Sequence, residues 1–259
     1  MSNAEHEPTH RPLPDAKLNF IGYYLGLQFH PSLKLNGPAG WEFAAALSSN
    51  YVDPKGAQID DTAWQFSQPL GENGEFRIIV RDQIISLEAR NPSNPLEWFE
   101  TRCPMILTAF RERFSPKLLL TSVAKAAATL DIDGDSRDFL VAHVMRMDAR
   151  RWGPLERPIQ LLGLRLILPA FEIKQHPPGK SKKKAQTVAA ADWAAEVKAE
   201  SFGADSSKLF LEVSGQWSVG VAWNDAITKQ AVGRLDTVKT FLKDHLLTFL
   251  TTELKNEDQ

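Results

Sequence analysis

The 259-residue sequence contains one cysteine, Cys103, and lacks any run of 18 or more apolar residues. A single cysteine excludes an intramolecular disulfide and a cysteine-based zinc site, and the missing apolar run excludes a membrane-spanning helix. The first 17 residues have no apolar stretch of the kind that a secretory signal needs. We therefore expect a soluble, cytoplasmic protein without a membrane partner.

An excess of one charge is also lacking, because 30 Lys and Arg residues are balanced by 32 Asp and Glu residues. Nucleic-acid-binding domains usually carry a clear cationic excess, so the net charge of −2 disfavours an extensive phosphate-binding surface. With 43% hydrophobic and 24% charged residues, the composition is typical of an ordinary folded protein. The length fits one large domain or two small ones.

Strand patterns dominate the N-terminal half. Residues 18–29 are rich in aromatic and aliphatic side chains, and residues 62–90 contain three β-rich runs separated by short turn sequences. In the third run, apolar Ile85, Leu87 and Ala89 alternate with polar residues. This alternation predicts an antiparallel meander with one face on a core and the other in water.

Three segments have helical patterns. Residues 41–47 contain helix formers, and residues 95–114 repeat large apolar side chains every three or four positions. Pro104 lies inside this second helix, where we expect a kink or a restart. Residues 235–255 carry the clearest apolar stripe and predict a long C-terminal helix.

The C-terminal half reads as further strands. Residues 117–132 and 138–147 predict a hairpin around an Asp-Gly turn, although the alanines of the first arm also suit a helix. Residues 161–168 predict another strand. Residues 193–201 and 208–217 predict a second hairpin.

These patterns predict an α+β fold, with antiparallel β-sheets covered by amphipathic helices. We expect a disordered tail over residues 1–17, an N-terminal half over 18–116 and a C-terminal half over 117–259, which could form one continuous domain. Leu-Gly-Leu occurs at 25–27 and again at 162–164. It suggests two related β-α-β-β-α halves.

Two basic clusters are candidates for interaction. One interleaves guanidinium groups with an aromatic ring, which suits base stacking or phosphate binding, and the other follows a Pro-Pro-Gly sequence. The alternatives are an ion-paired loop with a buried tryptophan and a solvated connection. The candidate residues are Arg146, Arg150, Arg151 and Trp152 in the first cluster, which extends to Arg157, and Lys182, Lys183 and Lys184 in the second, which begins at Lys180.

Four aspartates crowd one turn and could converge on a metal ion. They are Asp131, Asp133, Asp135 and Asp138. The calcium-loop template fails, because Gly134 and Ala142 occupy the wrong loop positions. A polar turn is the preferred interpretation.

No other pattern indicates catalysis or a cofactor. The six histidines are scattered without ligand spacing, and neither a nucleophile elbow nor a dinucleotide-binding glycine motif is present. Cys103 lies among apolar neighbours on its helix face and is expected to be a packing residue. The seven tryptophans are many for this length, and some of them suit a protein interface. We therefore predict no metal, no cofactor and no catalytic residue.

The middle of the chain carries a family resemblance. Val80-Arg81-Asp82 ends a strand, and Phe110-Arg111-Glu112-Arg113-Phe114 ends a helix. In these features and in the opening 25–29, the chain resembles a sporadically distributed, uncharacterised bacterial family, over about half its length. Pro104 and the absence of a Tyr-Asn dipeptide in the next strand depart from that pattern. The resemblance implies a bacterial cytosolic α+β protein and supplies no catalytic residues.

The expected function is therefore non-enzymatic. We expect an interaction or assembly component that binds a protein partner or forms a homo-oligomer. The alternative is a nucleic-acid-linked defence or regulatory protein that uses Arg146–Arg157 and Lys180–Lys184. A metal-dependent enzyme built on the four aspartates ranks last.

Overall fold

The computed structural model describes residues 11–13, 15–48, 56–91, 96–144, 163–170, 192–203 and 205–252. They form a ten-stranded antiparallel sheet with helices packed on it, which confirms the predicted α+β class. No helix in these ranges is long and apolar enough to cross a membrane. The strands are β1 (Arg11–Pro12), β2 (Asn19–His30), β3 (Gln58–Ile59), β4 (Trp64–Leu70), β5 (Gly74–Val80), β6 (Ile84–Arg90), β7 (Leu118–Asp133), β8 (Gly163–Leu168), β9 (Ala194–Ser201) and β10 (Lys208–Ala222).

Both halves of the chain contribute to this one sheet, in the order β3-β4-β5-β6-β2-β7-β10-β9-β8. Strand β1 pairs with the end of β7. The order is symmetric about the central β2–β7 pair, because each half places its first long strand there and its other strands outward from it. Among the described residues, each half thus has the element order β-α-β-β-β-α, with β3 as an addition in the first.

The helices complete the second layer. They are α1 (Gly37–Ser48), α2 (Leu96–Phe114), α3 (Ser136–Phe139), α4 (Asp225–Thr240) and α5 (Leu247–Thr251). π-helical turns follow α3 at Leu140–Val144 and join α4 to α5 at Phe241–Leu246. Aromatic side chains pack between this helical layer and the sheet. Phe110 of α2 contacts Phe29 of β2 at a ring-centroid distance of 5.3 Å and Trp223, just before α4, at 6.0 Å.

The alanine-rich segment of the C-terminal half is a strand, β7, at the centre of the sheet. Ala124, Ala126 and Ala128 are fully buried on the face that the helices cover, and the residues between them point to the other face. Because alanine has a small side chain, helix α4 can pack close to β7 here. Burial between two neighbouring strands outweighs the helical propensity of alanine.

The hairpin prediction over 117–132 and 138–147 is wrong in its second arm. Asp135 ends the extended segment and caps α3 by accepting a hydrogen bond from the backbone N–H of Arg137 at 2.8 Å. The residues after this cap are helical up to residue 144, where this described range ends. An Asp-Gly-Asp sequence starts a helix here because the second carboxylate satisfies a free N–H group of the first turn.

The other local predictions hold with shifted boundaries. The 62–90 meander and the 193–217 hairpin are confirmed. Helix α2 continues through Pro104 without a restart. The C-terminal helix begins at Asp225, ten residues earlier than predicted, because the Asn224 side chain accepts a hydrogen bond from the Ile227 N–H at 3.0 Å.

The described residues include part of the predicted N-terminal tail and the two Leu-Gly-Leu regions. Arg11 and Pro12, within the predicted tail, pair with Asp133 and Ile132 of β7, so part of 1–17 is ordered. Gly163 and Leu164 of the second Leu-Gly-Leu begin β8, the last strand in the order of the described sheet, whereas the first Leu-Gly-Leu lies in central β2. The two occurrences are therefore not equivalent, since the counterpart of β2 in the second half is β7.

Truncation of Phe110 should destabilise the joined halves. Phe110 is fully buried among four aromatic rings, so Phe110→Ala should lower the free energy of unfolding by about 3 to 5 kcal/mol in urea titrations. Met105 lies on the same helix and is 41% exposed. Met105→Ala should change stability by no more than about 0.5 kcal/mol. Equal losses in the two variants would contradict this account of the core.

Asp135 should contribute to stability in a pH-dependent way. Its carboxylate caps α3 and pairs with the Arg137 guanidinium at 2.5 Å, and this hydrogen-bonded pair lowers the pKa of Asp135 to about 2. Asp135→Ala should therefore lose about 1 kcal/mol at pH 7. The unfolded chain has the ordinary aspartate pKa, so the stabilisation is present above about pH 4 and disappears as the pH falls toward 2. As a control at pH 7, exposed Asp131→Ala should cost no more than about 0.5 kcal/mol in the same unfolding measurements.

Candidate functional site

One face of the sheet carries none of the described helices, and we call it the open face. Helices pack on the face formed by side chains such as Tyr23, Leu25 and Leu27 of β2, which are buried. Alternation along each strand places the intervening side chains on the opposite face. These side chains are half-buried or exposed in most strands.

The open face is polar and has both signs of charge in equal number. Its strands carry seven carboxylates and seven cations. They are Glu75, Glu88, Asp131, Asp133, Glu196, Glu200 and Glu212, and Arg11, Arg77, Arg90, Lys125, Arg165, Lys198 and Lys208. Cross-strand registers place opposite charges side by side, as for Arg77 and Glu88. Such pairs stabilise a sheet, and here they also neutralise the surface as a whole.

A shallow pocket of about 410 Å³, which we call the bowl, lies near the centre of this face. Residues of β6, β2, β7 and β10 line it. Gly22 and Ala127 are paired in the sheet and form the floor of the bowl. Glycine has no side chain and alanine has only a methyl group, so space is left above the backbone. A β-bulge in β2 just before Gly22 brings Ile21 to the rim. Asn91, at a positive φ of 42°, donates its backbone N–H to the Ile21 carbonyl at 2.6 Å and holds this bulge in place.

Tyr24 forms one wall of the bowl. Its ring lies against Gly26, where the first carbon of any side chain would come within 2.6 Å of the Tyr24 hydroxyl oxygen. The glycine of the first Leu-Gly-Leu therefore creates the place for this ring. Burial raises the pKa of Tyr24 above its usual value of 10, while a hydrogen bond with Ser86 opposes this rise. The tyrosine is neutral and can donate or accept a hydrogen bond at neutral pH.

The charged residues of the bowl differ in whether they form a salt bridge. Arg90 donates through Nε to Glu88 at 2.8 Å, and Glu212 accepts from Lys198 at 3.1 Å. Lys125 lies directly opposite Tyr24 in the sheet, with its ammonium 5.5 Å from the ring centroid. No carboxylate among the described residues lies within salt-bridge distance of this ammonium. Lys125 is thus the cation of the bowl that forms no salt bridge with a described carboxylate, although its charge helps to lower the pKa of Glu196 two strands away.

The bowl has polar walls and one apolar side. Phe210 of β10 and Ile21 line it together with the Tyr24 ring. This combination can orient a ligand through hydrogen bonds and charge while it buries an apolar group of that ligand.

The predicted interaction residues belong to segments that the structure does not describe. Arg146, Arg150, Arg151, Trp152, Lys182, Lys183 and Lys184 all lie outside the described residues. The prediction that they bind a partner or nucleic acid therefore stays a prediction.

The aspartate cluster does not assemble into a metal site in the part of the chain that the structure describes. Asp135 is engaged with Arg137, and Asp131 lies at the exposed end of β7. In these described ranges, no group of three or more His, Cys, Asp or Glu side chains could hold a metal ion.

Cys103 is fully buried on α2, as predicted, and burial raises the pKa of its thiol well above the usual value. The described tryptophans divide between core and surface. Trp64, Trp217 and Trp223 are buried in the core, whereas Trp41 on α1 is 57% exposed.

Sequence reasoning misses the bowl because its residues come from distant segments. Glu88 and Arg90 belong to the water-facing side of the meander, and Lys125 is one polar residue in an alanine-rich run. The signal that points to the bowl is the glycine at 22, which interrupts a β-rich sequence where a side chain would otherwise pack.

Comparison with known proteins adds no functional assignment. The chain matches no model of a known protein family and no curated protein sequence. The resemblance to an uncharacterised bacterial family therefore stays a prediction. Function must be inferred from the geometry of the open face.

Proposed function

We propose that this protein is a non-enzymatic interaction component of a bacterial cytoplasmic system, and that the open face of its sheet binds a protein partner. The single observation that carries the proposal is the bowl at the centre of a sheet face on which no described helix packs. A face with helices would be part of the core, whereas this one presents side chains to a partner.

The size of the face suits a protein. Eight strands from β4 to β8 lie side by side, and at the usual strand spacing they span about 35 Å. Strands of about six residues, half of which point to the open face, add a length of ~20 Å, for an area of ~700 Å². A standard protein interface buries ~800 Å² on each partner.

The chemistry of the face also favours a protein. Tyrosine and arginine are enriched among the residues that dominate binding energy at protein interfaces, and Tyr24 and Arg90 both line the bowl. The carboxylates on the same face repel phosphates, so the balanced charge disfavours the nucleic-acid alternative at this surface. Hydrogen-bonding groups of both kinds suit a polypeptide, which has donors and acceptors.

Site-specific photo-crosslinking in the native host tests this proposal. A benzophenone amino acid at Gln216, which is exposed on the open face, should crosslink the full-length protein to a different protein. The matched control has the same probe at Lys229, which is exposed on α4 in the helical layer, and should give no such product.

Three outcomes would overturn the proposal. These are a crosslink from Lys229 alone, products from neither position, and a nuclease-sensitive product from Gln216. A crosslink between two copies of this chain would overturn the choice of a different protein and identify self-association instead.

A further inference from the structure

The side chains that line the bowl restrict the type of ligand that it can bind. We propose that it binds one carboxylate group on a peptide segment of the partner, with Lys125 and Arg90 as the cationic contacts and a neighbouring apolar side chain against Tyr24 and Phe210. This inference rests on the proposed function, because it names the part of a protein partner that occupies the bowl.

Lys125 supplies the cation that no described carboxylate holds in a salt bridge. Its ammonium lies 5.5 Å from the centroid of the Tyr24 ring, whose face is electron-rich. A cation–π contact stabilises an ammonium less than a hydrogen-bonded carboxylate does. A carboxylate placed in the bowl would therefore gain a charge-assisted contact that no described residue now provides.

Arg90 can provide the second contact. Its salt bridge to Glu88 uses Nε, and its side chain is 56% exposed. The remaining N–H donors of the guanidinium can therefore reach a carboxylate, which arginine can hold with two parallel hydrogen bonds.

The register brings these two cations to either side of one empty position. Arg90 on β6 pairs with Gly22, and Gly22 pairs with Ala127, two residues from Lys125 on β7. β6 and β7 are two strand spacings apart, or about 10 Å, and Lys125 is displaced by two residues, or ~7 Å, along β7, so the Cα atoms of the two cations are ~12 Å apart. Since both side chains are long, a carboxylate above Gly22 can contact both of them.

The acidic walls limit the ligand to a single negative charge. Glu88 and Glu212 also line the bowl, so a polyphosphate or a densely acidic segment would meet repulsion. Their free oxygens can instead accept peptide N–H groups. Together with the apolar surface of Phe210, this favours a segment in which an acidic residue lies beside an aromatic or aliphatic residue.

Two dipeptide probes test this specificity on the full-length protein. NMR titration with N-acetyl-Phe-Asp-amide should shift the backbone amides of Gly22, Lys125 and Ala127. N-acetyl-Phe-Asn-amide has the same shape without the charge, and should bind at least about tenfold more weakly, because it loses the charged contacts.

Substitutions test separately whether binding needs the charge of Lys125 and the empty volume above Gly22. Lys125→Met keeps the apolar stem and should weaken binding of the acidic probe about tenfold while it leaves the neutral probe unchanged. The matched control is Lys229→Met in the helical layer, which should alter neither.

Gly22→Val should abolish binding of both probes by filling the floor. A first side-chain carbon at Gly22 meets only the Ala89 carbonyl at 3.6 Å and the Ala127 Cβ at 3.7 Å. These are ordinary contacts, so the variant should fold, which its NMR spectrum would verify. If it does not fold, Lys125→Met alone decides the question.

Equal affinity for the two probes, an unchanged affinity in Lys125→Met, or no shifts on the open face would each overturn the inference. The proposed function fails separately. A protein crosslink from Gln216 without probe binding would support the open face as the interaction surface and would overturn the bowl as a carboxylate site. Probe binding without a protein crosslink would show that the occupant is a small carboxylic acid and not a partner segment.

Discussion

The pairing of β2 with β7 is the interaction on which the rest of the structure depends. It joins two halves of the chain that start about 100 residues apart and makes one sheet of them. The contact between the two layers follows from it, because Phe29 of β2 then lies where Phe110 and Trp223 can both pack on it. The salt bridge from Arg111 to Asp225 ties α2 to α4 over the same junction.

This pairing also gives the sheet two faces of different character. On one face, small alanines of β7 let the helices approach closely, and large aromatic side chains fill the remaining volume. On the other, cross-strand charge pairs and small residues replace them. The bowl arises where the small residues of β2 and β7 meet, since Gly22 and Ala127 leave a depression between longer side chains.

The balance of charge on the open face explains why recognition there would depend on individual contacts. A surface with equal numbers of cations and carboxylates attracts no partner over a long range, so specificity must come from the few groups that remain unpaired. Lys125 is such a group, and it stands beside an aromatic ring. A partner that supplied the missing carboxylate would be distinguished from one that did not.

The sequence alone determined the local elements and the class of fold, because apolar alternation and helical stripes depend only on neighbours within a few positions. It identified the 62–90 meander, α2 and the second hairpin, but not the helix after Asp135, where one capping hydrogen bond decided between two local structures. Only the tertiary structure decided which strands pair, and so placed Arg90, Tyr24 and Lys125 in one bowl. The physical reason is that pairing between distant strands is selected by burial of the whole helical face, which no short segment encodes by itself.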